Sequence, residues 1–167
     1  VDEPGGGGAN FAGGGRYPYY YGPEGRLVLV DSALEAVNRG STTIGIKTPA
    51  FALLASHINP VRPLIDPAEK IFVVDGDVGA TGSGYIGDIL QLIDELRLET
   101  QKHRLNFESP IDVGSLVKHL GSFLHNYIVY TVRPQAASVI IAGSIRLESN
   151  SIRLIQAGHS SAVLALQ

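Results

Sequence analysis

Apolar and polar positions repeat with two different periods along this chain, and the changes of period divide it into elements. The stretch Gly22 to Lys47, GPEGRLVLVDSALEAVNRGSTTIGIK, shows the change most sharply. A turn at Gly22-Pro23-Glu24-Gly25 leads into a short apolar segment, Arg26 to Val30. Asp31 or Ser32 then suits the cap of a helix with Ala33, Leu34 and Val37 on its apolar face, Glu35 in the first turn and Arg39 in the last. Gly40 is placed to stop it. Period two follows: Thr42 to Lys47 and Phe51 to Ser56 predict a hairpin across Thr48-Pro49-Ala50. Lys70 to Val74 and Val78 to Thr81 predict two more strands around the turn Asp75-Gly76-Asp77. His57 to Ala68 carries Pro60, Pro63 and Pro67 and predicts an irregular surface segment.

The helical period then returns. Gly82-Ser83-Gly84 reads as the opening of a helix over Tyr85 to Lys102, with Ile86, Ile89, Leu90, Ile93 and Leu96 as its apolar stripe. Asp88, Asp94, Glu95, Arg97 and Glu99 occupy the remaining face. A second helix, Asp112 to Tyr130, carries Val113, Leu116, Val117, Leu120, Leu124 and Ile128; Asp112 is its cap and Arg133-Pro134 its break. Ala137 to Ala142 is almost wholly apolar, the mark of a central strand covered on both faces. Ile145 to Leu147 and Ile152 to Ile155 predict a closing hairpin, and Gly158 to Gln167 reads as the start of a helix. This order suits two packed sheets with helices outside better than a βαβ alternation.

Composition adds a boundary and some exclusions. Residues 1–21 hold two glycine runs, Gly5 to Gly8 and Gly13 to Gly15, with no apolar pattern to offset ordering, and predict a flexible arm. The arm ends in Arg16-Tyr17-Pro18-Tyr19-Tyr20-Tyr21, aromatics that favour a surface or groove. Residues 22–167 form the expected folded domain. A formal charge of −3 gives no electrostatic case for nucleic acid or acidic lipid as partner. The absence of Cys removes disulfides and thiolate chemistry and suits a reducing compartment. No apolar run reaches the ~18 residues that a membrane span needs. The opening VDEPGGGGAN is neither signal-like nor an initiator-Met start, and reads as a processed, trimmed or partly observed terminus.

Several strings, in order, resemble the α-type subunits of the 20S proteasome, members of the N-terminal-nucleophile hydrolase superfamily. GPEGRLVLVDSALEAVNRG at Gly22 to Gly40 is similar to that family's SPxGRLxQVEYAxxAVxxG, and STTIGIK continues like its first strand. Glu69-Lys70-Ile71 resembles its EKI, and Thr81 to Asp88 its SGLxADA. Phe107 to Ile111 is similar to its YGEPI, and Val132-Arg133-Pro134 leads to Ala137 to Gly143 as VRPFGVSLLIAG does there. The closing Ala157 to Val163 resembles AIGSGxxxAV, after which that family continues for further helices and strands.

The resemblance implies an α+β fold, a four-layer αββα sandwich. It implies a non-catalytic subunit of an endopeptidase complex, in a seven-membered ring of α-type subunits. That ring stacks on β-type subunits, admits unfolded polypeptide in ATP-independent core-particle proteolysis, and docks ATPase or other activators. No cofactor, metal, nucleic acid or membrane is implied, and the setting is the cytoplasm, or also the nucleus in a eukaryote. Lys70, with Gly40, Leu27 and Pro23, matches a pocket between adjacent subunits that receives an activator's C-terminal carboxylate. Tyr17, Tyr21, Pro23 and Asp31 fall in the region of the gate at the ring entrance. There the sequence departs from the family: the YDR-type motif is absent, Ser32 stands for the motif Tyr, Asp31 for Glu and Leu29 for Gln.

A second reading makes the chain a self-processed threonine/serine-type peptidase, with Ser41 as nucleophile and Lys70 approximately at the lysine position of the β-type subunits, a position where α-type subunits also carry Lys. Cleavage of Gly40–Ser41 would supply the free α-amine that such an enzyme uses as base. Against it, the helix before Gly40 is folded structure in the α-type family, and His57 occupies the place of the catalytic Asp in β-type subunits. His57, His103, His119, His125 and His159 carry no metal-binding spacing, and Gly82-Ser83-Gly84 lacks the GxxxxGK[ST] phosphate pattern.

Overall fold

The computed structural model describes residues 21–48, 50–58, 69–130, 133–145, 151–158 and 164–166. In chain order the elements are α1 (Val28–Asn38), β1 (Thr43–Lys47), β2 (Ala52–Ser56), β3 (Ile71–Asp75), β4 (Val78–Gly84), α2 (Ile86–Phe107), α3 (Val113–Tyr130), β5 (Ala137–Ile145), β6 (Ser151–Gly158) and β7 (Leu164–Leu166). β1 and β2 pair as a two-stranded sheet; β3 to β7 form a five-stranded sheet in sequence order, antiparallel throughout.

The large sheet is central. α2 packs on β3, β4 and β5, and α3 on β5 and β6, while β1 and β2 lie against the other face. The α+β sandwich expected from the resemblance is therefore present, and the described residues build a helix layer and two sheet layers of it. α1 packs on β4 and β5. The outward side of β1–β2 carries Ile44, Ile46, Phe51 and Leu53, each about half exposed.

Alternation along β4 explains the layering. Val78 and Ala80 face the helices and are buried with Phe72, Val74, Val139 and Ile141. Gly79 faces the other way, toward Leu54 of β2. Against the helix-side face α2 sets Ile89, Leu92, Ile93 and Leu96, and α3 sets Val113, Leu116, Val117, Leu120 and Leu124. The predicted α2 stripe needs one change: Leu90 is exposed, and Leu92, one turn before Leu96, is fully buried in its place.

Some expected boundaries move. α1 starts at Val28 behind Leu27, without a side-chain cap, so neither Asp31 nor Ser32 caps it. The apolar period simply runs back through Val30 and Leu27, and Ser32 Oγ donates to the Val28 carbonyl inside the helix (2.9 Å). Gly82-Ser83-Gly84 does not open α2 but ends β4, where it is paired with Val139, Ser138 and Ala137. α2 runs on to Phe107 and stops at Glu108, a left-handed residue (φ 54°). Asp112 does cap α3, accepting from the Ser115 N–H (3.2 Å). Ile145 belongs to β5, and Leu164–Leu166 form a strand beside β6 rather than a helix. An Ala-Val-Leu-Ala-Leu run fits either state, and the open edge of β6 decides for strand. The antiparallel pair β1–β2 and the strands around Gly76 stand as predicted. Residues 1–20 and the proline-rich segment 59–68 lie outside the described residues.

Two arginines of α2 reach across to β3. Arg97 donates from Nε and Nη2 to the Val73 carbonyl (3.1 and 2.9 Å). Arg104 pairs with the Asp75 carboxylate (2.6 and 2.7 Å).

Candidate functional site

The link between α1 and β1 meets the link before β3 at one end of the sandwich. The two ends that join them are Gly84, which closes β4, and Ala137, which opens β5. Gly40 follows α1, its N–H donating to the Val37 carbonyl (3.0 Å), and Ser83 Oγ from β4 donates to the same carbonyl (3.1 Å). A side chain at Gly40 would overlap Ser83 Oγ and the Gly84 nitrogen. Gly84 itself has φ +116° and rests on the Ala136 carbonyl, a place closed to any Cβ. These two glycines clamp the end of α1 onto the large sheet.

Ser41 and Lys70 meet beside that clamp. Lys70 Nζ donates to Ser41 Oγ, both residues half-buried. Thr81, fully buried on β4, donates from Oγ1 to the Lys70 carbonyl (2.7 Å) and so fixes the backbone from which the lysine springs. Among the described residues Lys70 has no carboxylate partner. Its ammonium is held by a neutral oxygen and keeps donors for an anion.

The pair does not amount to a peptidase centre. Ser41 is an internal residue joined to Gly40 by a peptide bond, and Gly40 is packed into the fold with α1 behind it. The α-amine that would activate the hydroxyl is absent while this link is intact. An ammonium donating to Ser41 Oγ also draws electron density from the oxygen rather than accepting its proton.

The other expected site residues lie at the far end of α1. Tyr21 and Leu27 bridge as an antiparallel pair around the loop Pro23-Glu24-Gly25. The Gly25 N–H donates to the Gly22 carbonyl (2.9 Å), the Gly22 N–H to the Arg26 carbonyl (2.8 Å), and Gly25 is left-handed (φ 74°). Pro23 is exposed and Leu27 half-buried. Asp31 pairs with Arg26 (2.6 Å), whose guanidinium is raised above its ordinary range mainly by that hydrogen bond. An α-helix of 11 residues is roughly 16 Å long, so Leu27 and Pro23 stand well away from Gly40 and Lys70 within one chain. Tyr17 lies outside the described residues.

One centre escaped the sequence reading. Asp88, placed there on the outer face of α2, is 3% exposed. Its carboxylate receives Arg133 Nη1 and Nη2 (2.7 Å each) and the Ala136 N–H (2.7 Å). Hydrogen bonding to Asp88 raises the Arg133 guanidinium, against the opposing effect of burial. The buried Gln135 amide lies between Asp88 (3.2 Å) and the Gln91 side chain (2.9 Å), with its NH2 turned to the carboxylate. This network ties the start of α2 to the chain entering β5, and so holds Gly84 against Ala136. Asp88 at the third helical position and Arg133-Pro134 before an apolar run were the signals available. His119 of α3 bridges Glu95 (2.9 Å) and Glu99 (3.7 Å) of α2 through opposite ring nitrogens, a geometry that joins two helices and does not converge on a metal.

A family model described as "Proteasome subunit" matches residues 37–160, which covers the end of α1, strands β1 to β6 and the helix pair α2–α3. The chain belongs to the proteasome subunit family. Among curated relatives it is 34% identical over 147 residues to the proteasome subunit alpha of Methanoculleus marisnigri, covering 86% of this chain and 60% of that one. It is 35% identical over 147 residues to the proteasome subunit alpha of Methanothermobacter thermautotrophicus, covering 86% and 58%. Proteasome subunit alpha 1 of Haloferax volcanii is 34% identical over 143 residues, covering 84% and 56%. The chain thus spans about three fifths of the length of the first two relatives. As a proteasome-family fold, the molecule keeps its family match across the Ser41–Lys70 end, the Asp88–Arg133 network and both helices.

Proposed function

We propose that the chain is a non-catalytic α-type subunit of a proteasome core particle. It contributes to a seven-membered ring with other α-type subunits, stacks on β-type subunits and frames the entrance for unfolded polypeptide. The observation that carries this reading is the packing of α1 and Gly40 onto β4, which keeps Ser41 inside the chain; the alpha-subunit names of the relatives support it. Peptide-bond cleavage then belongs to the β-type partners. The setting is the cytoplasm, or also the nucleus in a eukaryote; among the described residues no helix is long and apolar enough to cross a membrane.

In this reading Lys70 receives the C-terminal carboxylate of a docking activator, an ATPase ring or another cap, with Gly40 beside it. Pro23 and Leu27 are too far from Lys70 to share a small pocket in one chain. They fit a pocket between neighbours, where one copy's hairpin approaches the Lys70 end of the next. Tyr21, Pro23 and Asp31 then stand at the ring entrance, together with Tyr17 of the arm.

The test is assembly with β-type subunits followed by intact mass and peptide hydrolysis. Retention of Tyr17 to Gly40 in active particles is expected, and a chain beginning at Ser41 would instead make it a processed peptidase. Lys70→Glu is expected to abolish activator-stimulated hydrolysis while ring mass is unchanged. Full stimulation of Lys70→Glu particles sinks the docking role.

A further inference from the structure

We infer that Ser41 is the positioning residue of a carboxylate site headed by Lys70. Its hydroxyl holds the ammonium at the mouth between the two sheets, ready for the terminal carboxylate of a docking polypeptide. The inference rests on the docking reading above and adds a second residue to it.

The argument starts from the freedom of a lysine. Its four-carbon stem has many rotamers, and fixing them for an incoming anion opposes binding unless they are already restricted. Here both ends of the residue are fixed. Thr81 Oγ1 holds the Lys70 carbonyl from inside the sandwich, and Ser41 Oγ accepts from Nζ. Both anchors come from segments that cannot drift: Thr81 is paired in β4 with Ile71 and Ile140, and Ser41 follows the clamped Gly40.

The choice of a hydroxyl matters as much as its place. A carboxylate at position 41 would neutralise Lys70 from within and close the site to outside anions. A hydroxyl accepts one N–H, adds no negative charge to offset the ammonium, and can rotate to donate to the arriving carboxylate. A second hydroxyl supports a polar mouth at this end. Ser56 stands opposite Thr43 in the β1–β2 register, and its Oγ is buried with no hydrogen-bond partner among the described residues. Thr43 and Ser41 are on the same side of the β1 line, the side turned toward the large sheet.

The experiment titrates N-acetyl-leucine, and its neutral amide as control, into the full 167-residue chain labelled with ¹⁵N-lysine. It follows the Lys70 ammonium signal, assigned by its loss in Lys70→Met, and the exchange of its protons with water. The acid is expected to shift the signal and the amide to leave it. Ser41→Ala is expected to weaken the acid about three- to tenfold, the range of one hydrogen bond, and to speed ammonium exchange. Ser41→Thr, which keeps the hydroxyl, is expected to restore both. Ser41→Asp is expected to abolish the shift, with the ammonium signal itself retained.

Affinity and exchange in Ser41→Ala equal to the parent overturn the role of Ser41 and leave Lys70 docking standing. Equal shifts from acid and amide overturn a carboxylate site altogether. Binding unchanged in Lys70→Met, read from backbone signals, removes the docking role of Lys70 and with it the role of Ser41. The ring itself is judged separately by native mass, which none of these variants is expected to move.

Discussion

The two faces of the large sheet are packed on different plans. On the helix side, Leu92, Ile93 and Leu96 of α2 and Leu116 and Leu120 of α3 are wholly buried against Ala80, Val139 and Ile141. On the side facing β1–β2, strands β4 and β5 offer Gly79, Thr81, Ser83, Ser138 and Ala142 with Ile140 as their one large apolar residue, and the inward residues of β1 and β2 remain only half-buried. The first face has the volume and apolar area to drive folding. The second is thin and polar at one end, which leaves room for Ser41 and Lys70. Stability and recognition are thereby separated across one sheet, with β4 contributing to both through alternate residues.

The largest effect should come from cutting into the helix side. Leu96→Ala is expected to cost about 3–4 kcal/mol, as a full burial lost with a cavity left behind, whereas Leu54→Ala between the sheets is expected to cost about 1–2 kcal/mol. Urea unfolding of both variants decides it, and equal losses would erase the distinction between the faces. Next comes the tie between them. Asp88→Ala removes the carboxylate that accepts from Arg133 and the Ala136 N–H, and about 3 kcal/mol of lost stability is expected from the removal of a buried partner, reduced from the upper range because half of Arg133 is exposed. A midpoint shift no greater than that of a surface substitution would show that the network is ornamental. The smallest effect sharpens the contrast. Thr81→Val keeps the shape and removes one hydrogen bond, so about 1 kcal/mol is expected, together with faster exchange of the Lys70 ammonium protons. Unaltered exchange would uncouple Thr81 from the lysine.

The same contrast describes what could be read in advance. The helix side is periodic, and periodicity is visible in a linear sequence: α3 with its Asp112 cap, the apolar run of β5 and most of the α2 stripe follow directly. The first element was harder, because Leu27 to Val30 fits an extended run as well as the opening turn of α1. Ser83 and Gly84 look like a loop before a helix; only pairing with β5 makes them strand. Asp88 reads in sequence as a solvent-side acid because its partner lies 45 residues away. The Ser41–Lys70 contact spans 29 residues and depends on two separate hairpins meeting at one end, so no local spacing announces it. The family resemblance drew attention to both residues, but their contact is a property of the fold.

The bonds from Arg97 to the Val73 carbonyl have a consequence for how copies of this molecule can meet. β3 is an outermost strand, and Val73 is 70% exposed, so its free side would otherwise be a template on which a foreign strand could grow the sheet. A newcomer must first pull a guanidinium off that oxygen, while Arg104 and Asp75 tie the same helix to β3 about two turns further on. Runaway polymerisation through that border is thereby opposed by a cation of α2, and ordered contacts are directed to faces.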